Sequence, residues 1–316
     1  MSTRIVFMGT PDFAVASLDA LHKAGHDIVG VVTVPDKPSG RGQKINYSPV
    51  KEYALANSLN ILQPEKLRDE TFLSQLRELD ADLFVVVAFR MLPKVVWDMP
   101  RLGTFNLHAS LLPQYRGAAP INWAIINGET STGVTTFLLN EKIDEGKILL
   151  QESIAISESD NAESIHDKLA EIGKNLVVKT VEGLVQNNLY PTPQPNDGID
   201  LKPAPKIFKA DCTIDWTKNG RDIVNFVRGL SPYPAATMVL KDSKDTLLSF
   251  KVFEVTFEHA ENAVPNKVYT DQKEYLKIGI SDGYIHIKVL QLSGKRKNNI
   301  DEFLRGNNVN NCILLH

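Results

Sequence analysis

Three short runs in the N-terminal part of the chain are apolar almost without interruption: Ile5-Val6-Phe7-Met8, Ile28-Val29-Gly30-Val31-Val32 and Leu83-Phe84-Val85-Val86-Val87-Ala88. Successive side chains of a strand point to opposite faces, so an unbroken apolar run has to be covered on both. An antiparallel sheet with one wet face does not read this way. Between these runs lie stretches of helical spacing: Phe13, Leu18 and Leu21 within 13–24, then 50–58 and 67–79. Further strands are expected over 103–108, 133–139 and 147–151, and helices over 118–127 and 161–185. Strand and helix in alternation predict an α/β fold, a Rossmann-like, mostly parallel sheet with ligands outside the carboxyl ends of its strands.

The character changes at residue 190. Pro191, Pro193, Pro195, Pro203 and Pro205 fall within 190–205, which reads as a stiff extended linker. Beyond it a helix over 220–228 is followed by short alternating strands over 239–240, 247–255, 275–280 and 284–290, the pattern of a small OB-like β-barrel. The expected division is a catalytic domain over 1–189, a linker over 190–205 and a barrel domain over 206–316. Net charge is −3, which excludes a generally basic nucleic-acid binder. Residues 207–316 nevertheless hold 15 Lys and Arg against 13 Asp and Glu, so the barrel is the side better suited to a polyanion. Two distant cysteines, Cys212 and Cys312, rule out a disulfide framework. No run of about 18 apolar residues is present, and no secretory signal opens the chain. A cytoplasmic, monomeric protein with no membrane segment is expected.

The chemistry concentrates in Asn106-Leu107-His108-Ala109-Ser110-Leu111-Leu112-Pro113 and in a second turn, Ile143-Asp144-Glu145-Gly146. An amide, an imidazole and a carboxylate suffice for acyl transfer to an amine. The amide donates to an oxyanion, the imidazole moves a proton near neutral pH, and the carboxylate orients or balances it. No second His or Cys stands at ligand spacing from His108, so no metal is expected. Met8-Gly9-Thr10-Pro11-Asp12 has one glycine where a dinucleotide fingerprint needs three. Residues 34–44 carry Lys37, Arg41 and Lys44 against a single acid, Asp36, without the Gly-Lys-Ser/Thr of a phosphate loop. They fit either a solvated surface loop or an arm that contacts phosphates.

Several of these pieces together resemble the formyltransferases that use 10-formyltetrahydrofolate: Asn106 to Pro113, Arg116-Gly117-Ala118-Ala119-Pro120-Ile121, Gly133-Val134-Thr135-Thr136-Phe137 and Ile143 to Gly146. Met8-Gly9-Thr10-Pro11-Asp12-Phe13, Pro35 to Gly42, Ser231-Pro232-Tyr233-Pro234-Ala235 and Phe303-Leu304-Arg305-Gly306 narrow the likeness to the branch that acts on methionyl-tRNA. One departure is Arg90-Met91-Leu92-Pro93, where that family has a Gly and a polar residue. The resemblance implies 10-formyltetrahydrofolate as co-substrate, methionyl initiator tRNA as partner and no metal. It implies catalysis by Asn106, His108 and Asp144, and a folate site shaped by Ser110, Leu111, Leu112 and Pro113. Phosphate contacts are expected from Lys37, Arg41, Lys44, Lys206, Lys209, Lys295, Arg296 and Lys297. Sugar-amine and purine-precursor formyltransferases share the triad and stand as the rival expectation.

Overall fold

A computed structural model describes residues 3–39, 44–195, 198 and 200–315. The chain divides into two compact units. The first comprises 1–117, 131–154 and 166–203, and the second 118–130, 155–165 and 204–316. Two excursions from the N-terminal part therefore belong to the second unit, and most of the proline-rich segment belongs to the first.

The first unit begins with β1 (Arg4–Gly9), α1 (Asp12–Lys23), β2 (Asp27–Val32), the short strands β3 (Lys37–Ser39) and β4 (Lys44–Asn46), and α2 (Pro49–Ala56). It continues through β5 (Ile61–Leu62), α3 (Glu70–Glu78), β6 (Leu83–Val87), α4 (Lys94–Trp97) and β7 (Thr104–His108). After α5 (Pro120–Ile126), which lies in the second unit, come β8 (Ser131–Leu138), β9 (Ile148–Ala155) and the long helix α6 (Ala162–Val185). Seven strands form one sheet in the order β5-β2-β1-β6-β7-β8-β9. The pairs from β5 to β7 are parallel, and β8 runs antiparallel to β7.

The apolar runs behave as their composition requires. All five side chains of β6 are buried, as are those of Ile5, Val6, Phe7 and Met8 on β1. Each large apolar side chain so buried contributes about 1.5–3 kcal/mol relative to exposure. The helices start where the sequence supplies a cap. Ser48 Oγ accepts from Lys51 N at 3.1 Å, ahead of Pro49, and Asp69 accepts from Phe72 N at 3.1 Å.

In the second unit a 3-10 turn (Lys209–Cys212) precedes α7 (Gly220–Leu230), capped by Asn219, and α7 packs on α5, with Asn122 Nδ2 donating to Gly229 O at 2.7 Å. The strands are β10 (Ala236–Lys241), β11 (Leu247–His259), β12 (Val268–Thr270), β13 (Leu276–Ile280), β14 (Gly283–Leu292) and β15 (Lys297–Asn299). The helix α8 (Ile300–Gly306) and β16 (Ile313–Leu315) close the unit. The main path is β12-β13-β14-β11-β10-β16, with β15 on β14, and it makes a nearly closed antiparallel barrel. Alternation does the work here: Ala236, Met238 and Leu240 of β10 point inward between half-exposed neighbours. Irregular register between Val252 and Val255 bends the thirteen-residue β11. The strands wrap a core that includes Trp216, Phe250, Ile278, Ile287 and Phe303. Helix, sheet and barrel thus follow the sequence expectation. The strands at β12, β15 and β16 and the helix α8 were not legible in it.

Candidate active site

The site lies at the carboxyl end of β7, within the first unit. Alternation on this strand buries Phe105 and Leu107 on one face and brings Asn106 and His108 to the other. His108 is 6% exposed, and its Nε2 lies 2.8 Å from the carbonyl oxygen of Tyr115. A carbonyl only accepts, so Nε2 carries the proton. Nδ1 is then the nitrogen that faces Asp144, at 3.9 Å from Oδ2. In the neutral ring Nδ1 presents a lone pair. On taking up a proton it forms an imidazolium–carboxylate pair with Asp144. That carboxylate is itself held, because Gly117 N–H donates to Asp144 Oδ2 at 2.9 Å. Tyr115, Gly117 and Asp144 all have positive φ, at 59°, 126° and 53°. Two tight turns bring their backbones to the imidazole and the carboxylate.

The segment Ser110 to Pro113 is fixed by β8 and β9. Thr135 Oγ1 donates to Ser110 O at 2.6 Å and accepts from Leu112 N at 3.1 Å. Gln151 Nε2 donates to Leu112 O and to Thr135 Oγ1, each at 2.9 Å. Ser110 is fully buried and its hydroxyl donates to Gln114 O at 2.6 Å. Leu111 rests on Gly133, where a Cβ would stand 2.5 Å from Leu111 Cδ2 and 2.2 Å from Glu152 O. Thr135, Gln151 and Gly133 therefore set the backbone of the segment that the family resemblance assigns to folate. Arg90 is spent elsewhere: its guanidinium donates to Glu65 O at 2.9 Å and to Pro64 O, and burial pushes its pKa down.

The basic stretch 34–44 was expected as a loop, and its two ends pair as the β3–β4 ladder. Lys37 is exposed on β3, Lys44 lies on β4, and Arg41 lies outside the described residues. One nearly buried cation holds the base of this arm. Lys51 Nζ donates to Asp36 and to Gln63 Oε1 at 2.8 Å, and Gln63 Nε2 donates to Val34 O at 2.8 Å. The Lys51 ammonium, followed by the Gln63 amide, holds the Asp36 carboxyl below the usual carboxylate range.

The remaining expected cations lie in the second unit, in two places. Lys206 and Lys209 line a cavity of about 450 Å³ together with Lys251, Phe208 and Tyr233. Both rings are exposed, and Lys206 Nζ stands 5.4 Å from the Phe208 ring centre. Lys295, Arg296 and Lys297 are exposed where β14 turns into β15, with Lys297 Nζ 4.4 Å from the Phe253 ring centre. Sequence reasoning missed Tyr115, Thr135, Gln151, Gln194 and Lys251. The one signal available for Gln194 was its place as a polar residue enclosed by prolines. Among the described residues no group of three or more His, Cys, Asp or Glu could hold a metal ion, and no helix is long and apolar enough to cross a membrane.

Comparison with known proteins identifies the family. Residues 3–181 match the formyl transferase family and 206–308 match the formyl transferase C-terminal domain. The methionyl-tRNA formyltransferase of Bacteroides fragilis is 53% identical over 306 residues, covering 96% of this chain and 94% of the relative. That of Flavobacterium johnsoniae is 55% identical over 304 residues, covering 96% of each. Among solved structures, an N-formyltransferase from Helicobacter canadensis, in complex with folinic acid and dTDP-3-aminofucose, superposes with a TM-score of 0.66. It is 22% identical and covers 94% of this chain and 100% of its own. HypX from Aquifex aeolicus in complex with tetrahydrofolic acid gives 0.65 at 18% identity, over 100% of this chain and 51% of its own. At these identities the two structures share the fold.

Proposed function

The chain belongs to the formyl transferase family, and we propose that it moves the formyl group of 10-formyltetrahydrofolate to the α-amino group of methionyl initiator tRNA. The identity of just over half with relatives that bear this activity in their names, across both units, supports the acceptor. The observation that carries the chemistry is the His108–Asp144 pair at 3.9 Å, with Nε2 engaged by Tyr115 O and Oδ2 by Gly117 N–H.

The reaction needs a neutral amine. A free α-amine has a pKa near 8, and an adjacent ester lowers it, so a fair fraction is neutral at pH 7. The amine lone pair attacks the formyl carbon and the carbonyl π pair moves onto oxygen. Collapse of the tetrahedral adduct breaks the bond to N10, which leaves carrying a proton. Two charges need help on the way, the oxyanion and the ammonium. Asn106 and the protonated Nδ1 of His108 are the donors suited to the oxyanion, each such donor being worth about 2.7–4 kcal/mol. Asp144 offers the ammonium an acceptor and balances the imidazolium. Removal of the proton from the former amine and its delivery to N10 complete the exchange without a metal. Ser110 to Pro113 shape the folate site through backbone groups.

Residues 1–189 would then hold the catalytic machinery, with 190–205 as linker, and RNA contacts would fall on the basic arm and on 206–316. Arg41, with Lys37 and Lys44, reaches for the acceptor end. Lys206, Lys209, Lys295, Arg296 and Lys297 contact phosphates on the second unit. A cytoplasmic monomer fits this role. The decisive experiment supplies the protein with 10-formyltetrahydrofolate and charged initiator tRNA, and in parallel with amino-sugar nucleotides, and follows the formyl group. N-formylmethionyl-tRNA is expected. Transfer to the sugar amine, with none to the tRNA, would overturn the proposal.

A further inference from the structure

Gln194 stands in the proline-rich segment, yet it is 7% exposed and every hydrogen-bonding position of its amide is used within the first unit. Its two N–H groups donate to the backbone carbonyls of Asp144 at 2.7 Å and Gly146 at 2.8 Å. Its Oε1 accepts from Arg116 Nε at 3.0 Å and Nη2 at 2.6 Å. The chain before it is pinned by the pair of backbone bonds between Ile148 and Thr192. One side chain thereby ties the linker, the 116–117 turn and the 144–146 turn together.

We propose that Gln194 is a positioning residue that holds the Asp144 carboxylate in working orientation toward His108, which makes the linker part of the catalytic apparatus. This rests on the role given above to Asp144. The turn it clamps has little latitude of its own. Asp144 sits in the left-handed region at φ 53°, which a non-glycine residue keeps only when its surroundings hold it there. On its far side Gly146 lies so close to β8 that a Cβ would stand 1.6 Å from Leu138 O. Arg116 bridges back to Glu145 at 3.5 Å, and Gly117 N–H reaches Asp144 Oδ2. An amide is the group this position demands. Two inward carbonyls need donors and the guanidinium needs an acceptor, and only Gln offers both at this length. A glutamate would satisfy Arg116 and set a carboxylate oxygen against two carbonyl oxygens.

A double-mutant cycle tests the proposal, with formyl transfer to methionyl-tRNA as the assay. Gln194→Met keeps the length and removes all four bonds. It is expected to lower kcat on the order of 100-fold, the usual effect of a misplacement of about 1 Å in a catalytic group, with KM for the folate little changed. Gln194→Glu, which preserves the bonds to Arg116, should be equally impaired, and it serves alone if the Met variant does not fold. In an Asp144→Asn background either change should cost less than about threefold, because the group being positioned is gone. Equal losses in both backgrounds, or a Gln194→Glu protein with wild-type kcat, overturn the positioning role. A wild-type protein that forms no formylmethionyl-tRNA would sink the functional proposal instead, which is a separate outcome.

Discussion

Replacing Asp144 by Asn probes the charge at the centre of the site while leaving its shape in place. The Asn carboxamide oxygen can still accept from Gly117 N–H, which now spans 2.9 Å to Oδ2, so the turn should persist. What disappears is the carboxylate facing His108 Nδ1 at 3.9 Å. Both side chains are well shielded, with 7% and 16% of their surface exposed. At an effective dielectric constant of about 20, opposite unit charges at this separation attract by about 4 kcal/mol. A neutral imidazole gains little from that attraction. The imidazolium of the transition state gains all of it, so the loss falls on kcat rather than on binding. With about 1.4 kcal/mol per decade, kcat should fall roughly 10³-fold. KM for 10-formyltetrahydrofolate should stay within about threefold, as expected when only a transition-state interaction is removed, and the melting temperature within about 2 °C. Single-turnover transfer of a radiolabelled formyl group, read against a thermal melt of the same preparation, checks each quantity. A loss smaller than about tenfold would refute the electrostatic role given to Asp144.

Three further perturbations probe other parts of the molecule. Gly133→Ala drives a methyl into Glu152 O and Leu111, at 2.2 and 2.5 Å; overpacking of about 1–3 kcal/mol should lower the melting temperature by a few degrees and raise KM for the folate as Leu111 shifts. Asp36, held below its ordinary value of 3.8 by Lys51 and then Gln63, contributes stability that is present above 3.8 and lost as pH falls through its lower folded value. The gap in urea midpoint between wild type and Asp36→Asn should accordingly be open at about pH 6 and close on acidification. Lys206→Ala should reduce the slope of log affinity against log salt by about one for any tRNA, whereas Arg41→Ala should lose the preference for initiator tRNA in a competition between charged tRNAs.

How much of this was legible depended on the range of the interaction that decides each feature. The buried strands β1, β2 and β6 were readable because burial on both faces leaves a continuous apolar record in the sequence. Asn106 and His108 were readable because their types are scarce at the end of such a strand. Their orientation was not. Which nitrogen of His108 works is set by Tyr115 O, and the position of Asp144 is set by Gly117 N–H and by Gln194, 50 residues downstream. Backbone groups leave no trace in residue type, and a long-range side-chain bond leaves only an isolated polar residue. The barrel shows the same division. The alternation of β10 and β14 was visible, while the three-residue strands β12, β15 and β16 are too short to carry a period. Lys251 was overlooked because a single cation on a long strand shows no pattern until the fold sets it beside Lys206 and Lys209.

The same contrast explains why the site is built from turns rather than from the strand alone. A strand can offer Asn106 and His108 two residues apart on one face, but a third group opposite them must come from another segment. Tyr115 and Asp144 enter in left-handed conformations at 59° and 53°, each costing about 1–3 kcal/mol for a non-glycine residue. Those costs are offset by the hydrogen bonds that converge on the two turns: Tyr115 N to Lys202 O at 2.7 Å, Gly117 N to Asp144, and the bonds of Gln194. Two of these three anchors, the Lys202 carbonyl and Gln194, come from the 190–205 segment, and the Tyr115 whose amide Lys202 holds is the residue whose carbonyl fixes the His108 proton. The prolines there have a physical use beyond spacing. Each locks φ and reduces the freedom of the unfolded segment, so a chain that must present Gln194 and the Lys202 carbonyl at fixed points loses less entropy in doing so. The stiffness that made the segment look like a spacer is the property that suits it to hold the site.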